Sequence, residues 1–481
     1  MLVAALCRLA RRRGLSVAPF KPQNMSNNAA ACADGGEIGR AQALQARAAG
    51  LEPCVDFNPV LLKPETDRRA RVVVHGRAMS AMEASAYMKG GREQLLAPVL
   101  QSFERLSQSY DLVIVEGAGS PAETNLRRGD IANMGFARAA GVPVCLVGDI
   151  DRGGVIASLA GTRHVIDAED ASMIRACLIN RFRGDPALFT EGVRHIEKLT
   201  GWPCLGVVPW LADCARLPAE DAVSITSRAH TGKDEDTQCV IVAPMLSRLA
   251  NFDDADPLIA EPGVDFRWIP PGQAIPRDTD VVILFGSKST TGDLDFLLLQ
   301  GWHHDLHAHV RTGGRVLGLC GGYQMLGHIV DDPDGHDGDA GSRTGLGLLN
   351  VTTRMHNYKR VAPIHATCAR SNADIAGYEI HSGSTVGDDT IRPMFRRPDG
   401  SQDGARSIDG RVEGSYVHGV FANDDFRRSW LRRVGAKPDP GYSAEAAVES
   451  AIEGLADGVA EAVDLDALFA LAASPGWQIS K

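Results

Sequence analysis

Apolar and polar positions fall in blocks along this chain. Up to about residue 215, short runs rich in Val, Ile and Leu recur: SVAPF, DLVIVEGAG, VPVCLVGDI and CLINRF. They read as strands buried on both faces. Helix-like segments separate them, notably 37–49, 80–90 and 92–108. This alternation predicts a mostly parallel sheet with helices on both sides. The polar stretch AHTGKDEDTQ at 229–238 reads as a linker. A second series follows, CVIVAPM, DVVILFGS and GRVLGLCGG, and then the acidic loop DDPDGHDGDA. Beyond it come β-like stretches around 345–355, 377–381 and 411–421, and a tail from about 430, rich in Ala and Glu, that reads as helical. The expected organisation is a first domain at 1–228, a linker at 229–238, a second domain at 239–430 and a helical C-terminal tail at 431–481.

Composition narrows the function classes. The 481 residues suffice for two or three domains with real cores. A formal net charge of −10 argues against nonspecific nucleic-acid binding and against anionic membrane surfaces. No apolar run reaches the 18 residues or so of a membrane span. The ten cysteines are scattered and form no CxxC pair, which fits small core residues in a reducing, cytoplasmic setting. At the N-terminus, Arg11, Arg12 and Arg13 follow the apolar run, the reverse of a secretory signal.

The sharpest local signal is GRVLGLCGGYQMLG. A buried strand ends at Cys320, two glycines follow, and an amphipathic helix begins at Tyr323. A thiol there sits on a tight turn at the carboxyl edge of a sheet, where the helix N-terminus favours thiolate. The competing reading is a buried cysteine before an ordinary glycine turn. A thiolate nucleophile needs a base, and GSYVHGVF offers His418 at the end of a strand. Gly286 and Ser287, just after another strand in ILFGSKST, can present backbone N–H groups to an oxyanion, as can Gly321.

On GLCGGYQMLG, GSYVHGVF, GYEIHSG and FGSKST, this half resembles a class I glutamine amidotransferase domain of the cobyric acid/cobyrinic acid synthase branch. Other class I domains carry a Glu two residues after the catalytic His; that position is Val420 here. The branch resembles a Cys–His dyad without the acid. Phe285 stands where the family leads one to expect Pro.

In the first half, FKPQNMSNNA, DGGEIGRAQALQA, VEGAGSPAETNL and VGDIDRGG resemble the synthetase domain of the cobyric acid synthase family, related to dethiobiotin synthetase. The resemblance implies an α/β chain: a P-loop (dethiobiotin-synthetase-like) doubly wound parallel sheet, followed by the class I glutamine amidotransferase α/β domain. It implies ATP and Mg²⁺, with glutamine as nitrogen donor and a cobalt corrinoid, adenosylcobyrinic acid a,c-diamide, as substrate. Its b, d, e and g side-chain carboxylates would be amidated. A carboxylate must become an acyl phosphate before ammonia attacks it, which calls for cations around the transferred phosphate. Glu116 is then a Mg²⁺ ligand, with Asp34 a weaker one. Gly117 and Gly119 allow close approach of phosphate or carboxylate, and Lys21 neutralises the phosphate. Gln23, Asn24, Ser26, Asn27 and Asn28 either orient the substrate's side arms or form a loop of turn residues. Asp149 and Asp151 bind Mg²⁺, position substrate, or cap the helix after Gly154. Glu379 and His381 line a domain interface or belong to a structural hairpin. The close cousin that makes the a,c-diamide shares this architecture. A glutaminase or a corrinoid-binding protein without ligase activity stays open.

The family's synthetase domain begins with a strand and a P-loop, and its first helix reads much like LVAALCRLARRRG. The P-loop would end immediately before Met1, so the expectation is a start about 15 residues further upstream. Two leads are weak. His303 and His307 are spaced i, i+4 in WHHDLHAHV, without the further ligands of a metal site, and fit a solvated helix face. Counted from Asp332, the twelfth position of the acidic loop is Arg343 rather than Glu, so it is no EF-hand and reads as a surface hairpin loop.

Overall fold

The structure, a computed structural model, describes residues 1–64, 69–83, 93–218 and 238–472. The expected linker lies outside the described residues except for its last position. The segment expected as a helix at 80–90 begins instead as the end of a strand, Arg77–Glu83, and 84–90 also lie outside.

In the second half, six strands lie in the order 264–269, 239–244, 281–284, 315–319, 412–415 and 405–406. The first five are parallel and the last is antiparallel. Val281–Leu284 is buried along its whole length, as a strand covered on both faces must be. The strand ending at Cys320, Arg315–Leu319, is interior to this sheet. A second sheet is built on two long antiparallel strands, Thr352–Cys368 and Asp374–Val386. The β-like stretch expected at 345–355 therefore starts later, at Thr352. Val417–His418 pairs with Tyr378–Glu379 in this second sheet, which carries His418 over to the first.

The first half holds the expected βα elements, in two parallel pieces. Val17–Phe20 pairs in parallel with Leu112–Val115. Val144–Asp149, Ile174–Phe182 and Cys204–Pro209 form a separate three-stranded parallel sheet. Among the described residues no ladder joins the two pieces, so each keeps a free edge. Leu112–Val115 is accordingly half-buried, and Val147 is 46% exposed. A four-stranded sheet and the small hairpin Ala29–Ala31/Glu37–Gly39 complete this half.

The helix Arg40–Ala49 is rich in Ala, Gln and Arg, good helix formers, and stops at Gly50 in the left-handed conformation (φ 75°). The tail is helical as expected, Ala444–Ala462 and Leu465–Ala472, yet it docks on the first half. Ile452, Leu455 and Val459 share a core with Val3, Cys7 and Leu9. Arg8 reaches Glu449 at 2.8 Å, and Arg12 reaches Asp457 at 2.6 Å.

The two halves also meet directly. Ala29, Leu61 and Val73 pack against Tyr378 and Ile380. Beside this seam, buried Glu37 accepts from Lys63 at 2.6 Å and from Lys359, in the second half, at 2.5 Å. Burial works against its charge, but the two ammonium groups hold its carboxyl down at about 2.

Candidate active site

Cys320 closes its strand and opens the short helix Gly321–Met325 with φ 51° and ψ −110°. A side chain disfavours that conformation, and such strain recurs at nucleophile turns. The turn is held from both sides. The Cys320 amide donates to the Ser415 carbonyl at 2.8 Å, and a Cβ at position 321 would lie 2.8 Å from the Ser287 amide nitrogen. Only glycine lets the two segments meet there. Ser287 Oγ donates to Asp293 at 2.6 Å, which fixes the segment bearing Gly286 and Ser287 beside the first, unsatisfied turn of the Cys320 helix. The expected oxyanion donors are thus gathered.

His418 is buried and lines the same cleft as Cys320, whose thiol donates to the Ile380 carbonyl at 3.5 Å. Its ring nitrogen Nδ1 donates to Asp254 Oδ2 at 2.7 Å, and Asp254 Oδ1 also accepts from the Gly419 amide at 2.6 Å. Burial alone would discharge the imidazole. The carboxylate of Asp254 and the nearby Cys320 instead raise it to about 10. The expectation of a dyad without an acid is therefore corrected: Val420 is fully buried in the core, and the acid arrives from another segment. The ring of Tyr378 stacks on His418, 5.2 Å between centroids and 17° between planes.

These groups open on a cleft that both halves line. Asn27 and Lys63 come from the first half; Lys288, Asp337 and His381 come from the second. The acidic loop is a hairpin as expected, Ile329–Asp332 paired with Gly341–Thr344, but it is more than surface. It turns Asp337 into the cleft, where the carboxylate accepts from the Thr290 amide. Burial pushes this carboxyl up to about 7, against the pull of Lys288. Among the described residues lining the cleft, Asp337 is the one carboxylate.

Of the pair left open in the sequence, His381 lines the cleft, stacked on Tyr416 at 3.8 Å. Glu379 is structural, buried and paired with Arg360 and Arg397. Phe285 packs on Trp268, 5.4 Å between ring centroids.

In the first half, Lys21 ends its strand buried, its Nζ 2.9 Å from Glu116 Oε1. Gln45 Nε2 donates to the other oxygen at 2.5 Å. Despite burial, the Lys21 ammonium holds the Glu116 carboxyl below its usual range. Asp34 sits apart, exposed on the Ala29–Ala31/Glu37–Gly39 hairpin turn, where it accepts from the Gly36 amide at 3.3 Å. The structure does not join it to Glu116. Among the described residues no group of three or more His, Cys, Asp or Glu could hold a metal ion, the histidines of Trp302–Arg311 included.

The polar run at 23–28 is no open loop. Gln23, Asn24, Ser26 and Asn28 are buried. Asn24 donates to Gln42 at 2.9 Å, and Asn28 Oδ1 accepts from the Asn251 amide, across the seam, at 2.7 Å. Asp149 and Asp151 do not cap the helix after Gly154, which has no side-chain cap. They pair with Arg181 at 3.0 and 3.1 Å, and Asp151 with Arg183 at 2.6 Å. A Cβ at Gly117 would lie 2.3 Å from Asn133 Oδ1, so a protein side chain already accounts for that glycine; Gly119 (φ 72°) has open space. No helix among the described residues is long and apolar enough to cross a membrane.

Residues 240–426 match the CobB/CobQ-like glutamine amidotransferase domain, and residues 1–225 match the CobQ/CobB/MinD/ParA nucleotide binding domain. The chain is 63% identical over 480 residues to a cobyric acid synthase of Hyphomonas neptunium, covering 99% of this chain and 96% of that one. It is 58% identical over 472 residues to a cobyric acid synthase of Paracoccus denitrificans, with 98% and 96% covered. A solved glutamine amidotransferase structure is 16% identical, covering 40% of this chain and 99% of that one, at a TM-score of 0.32.

Proposed function

The chain belongs to the cobyric acid synthase family, and on that premise we propose that it amidates the b, d, e and g carboxylates of adenosylcobyrinic acid a,c-diamide, with glutamine as nitrogen donor and ATP as activator. The observation that carries the reading is the strained Cys320 elbow beside the His418–Asp254 pair, open to a cleft walled by both halves.

Glutamine enters with its side-chain amide against Cys320. An imidazolium beside a thiol favours thiolate, the attacking form. Sulfur adds to the amide carbon, and the developing oxyanion meets the N–H groups near Gly286, Ser287 and Gly321. His418 then gives its proton to the leaving nitrogen, and ammonia departs from a thioester. Water, deprotonated by the same imidazole, releases glutamate. Asp254 holds the ring in the tautomer and orientation these transfers need. At the far end of the cleft, Asp337 and the nearby Lys288 offer opposite charges to the α-ammonium and α-carboxylate of glutamine.

Asn27, from the first half, meets the released ammonia at the cleft wall. ATP supplies the phosphoryl group that turns a corrinoid carboxylate into an acyl phosphate, which ammonia displaces to leave an amide and phosphate. Lys21, at a strand's carboxyl end and paired with Glu116, would meet the transferred negative charge. Mg²⁺ would be expected with ATP, but the residues as arranged do not form its site: Glu116 is engaged on both oxygens and Asp34 lies elsewhere. No step is assigned to it. The test is Cys320→Ala. Glutamine-dependent amidation should vanish while amidation from free ammonium salts persists; loss of both would count against the glutaminase assignment.

A further inference from the structure

The glutaminase half does not complete its own site. Arg40, the first residue of the helix Arg40–Ala49 of the synthetase half, reaches across the seam to Asp253 Oδ2 at 2.5 Å. Asp253 is the neighbour of Asp254, the acid on His418. Its side chain is 2% exposed, and neither oxygen accepts a hydrogen bond. Burial and the neighbouring Asp254 carboxylate push its carboxyl up, and Arg40 is the foremost charge opposing them. The same guanidinium lies over the ring of Tyr378, 5.5 Å from the centroid, and His418 stacks on that ring as well. Asn251 ties the arrangement to the synthetase half a second time. It donates to Tyr378 Oη at 3.1 Å, and its amide donates to Asn28 at 2.7 Å.

We propose that Arg40 is a positioning residue for glutamine hydrolysis: it neutralises Asp253 so that Asp254 alone governs His418, and it braces the tyrosine that stacks on the imidazole. The charge count supports this role. Among these four groups, the His418 imidazolium and the Arg40 guanidinium offset Asp253 and Asp254, while Asp256 is a further carboxylate near Arg40 and the Cys320 thiolate, once formed, a further negative charge beside His418. Without Arg40 one carboxylate of the four groups is left uncompensated, which a low-dielectric interior penalises heavily. Asp253 must then take up a proton or compete with Asp254 for the charge of His418. The same helix carries Gln42 to Asn24 and Gln45 to Glu116, so one rigid element runs from the synthetase carboxylate to the glutaminase acid.

The proposal rests on the glutaminase reading above, and the test separates the two. Glutamate release from glutamine is measured with the full chain as parent, Arg40→Met, Arg40→Lys and the pair Arg40→Met/Asp253→Asn, each with its thermal melting curve. Arg40→Met should lower kcat roughly tenfold or more and leave KM for glutamine within about twofold, because Arg40 touches the base's supports and not the substrate. Removing the charge of Asp253 as well should recover much of the loss, a coupling that mere loss of packing does not produce. Arg40→Lys should stay within about threefold of the parent, and it carries the test if Arg40→Met does not fold. A parental kcat in Arg40→Met overturns the proposal. So does an equal loss in Arg40→Lys, or a double variant no better than the single. An inactive parent instead overturns the glutaminase reading itself.

Discussion

Cys320 holds a backbone conformation that its side chain disfavours, and the groups around it explain why the strain is kept. His418 shares the cleft with the thiol and bonds Asp254 through Nδ1. Asp254→Asn keeps the shape but offers Nδ1 an amide, so the tautomer and the charge support are both lost. Its kcat for glutamate release should fall by about 10² to 10⁴ with little change in melting temperature. Asp337 predicts a different signature. Its carboxyl, pushed up by burial to about 7, is ionised above that pH and neutral below it. If it binds the α-ammonium, KM for glutamine should rise as pH falls below about 7. Asp337→Asn should raise KM about tenfold with kcat preserved, and should discriminate poorly against an amide donor that lacks the α-amino group. The nucleophile and base were legible in local pattern, since a strand, a cysteine and two glycines are contiguous. Asp254 was not, because it lies 164 positions from His418. The position two residues after the histidine, where other class I domains carry a Glu, is Val420, which fills the core. The one available signal was the density of Asp in NFDDADP.

The elements show the same limit. Strands of the second half follow their apolar runs closely, because a strand buried on both faces must be apolar throughout. The polar run at 23–28 looked like an open loop because its burial depends on partners far along the chain, such as Asn251. The tail read correctly as helical, but an amphipathic pattern does not name the surface it covers. A charge pattern does: Arg8 and Arg12 on one helix match Glu449, Glu453 and Asp457 on the other, all at helical spacing. The helix Ala444–Ala462 is thus a structural part of the first half. Leu455, 1% exposed at this contact, should lose about 2–5 kcal/mol on truncation to Ala. Chemical denaturation should show the loss in the unfolding of the first half, and an unchanged midpoint would contradict the docking.

Across the whole molecule the two halves share one cleft, one apolar seam and the buried Glu37 between Lys63 and Lys359. The order of domains was readable from the βα series and the motifs they carry. The seam was not, because its residues come from four separate segments, none of them conspicuous alone. Residues of both halves line the cleft at Cys320, and a coupled amidation requires ammonia to pass from one half to the other. The most direct measurement is transfer of label. The chain is incubated with ATP, Mg²⁺, the a,c-diamide corrinoid and glutamine labelled with ¹⁵N in its side-chain amide, in excess unlabelled ammonium, and the corrinoid product is weighed by mass spectrometry. The account predicts ¹⁵N in the new amides despite the unlabelled pool, and none when Cys320→Ala replaces the parent. Amides carrying only the unlabelled nitrogen, with the parent chain hydrolysing glutamine normally, would contradict it.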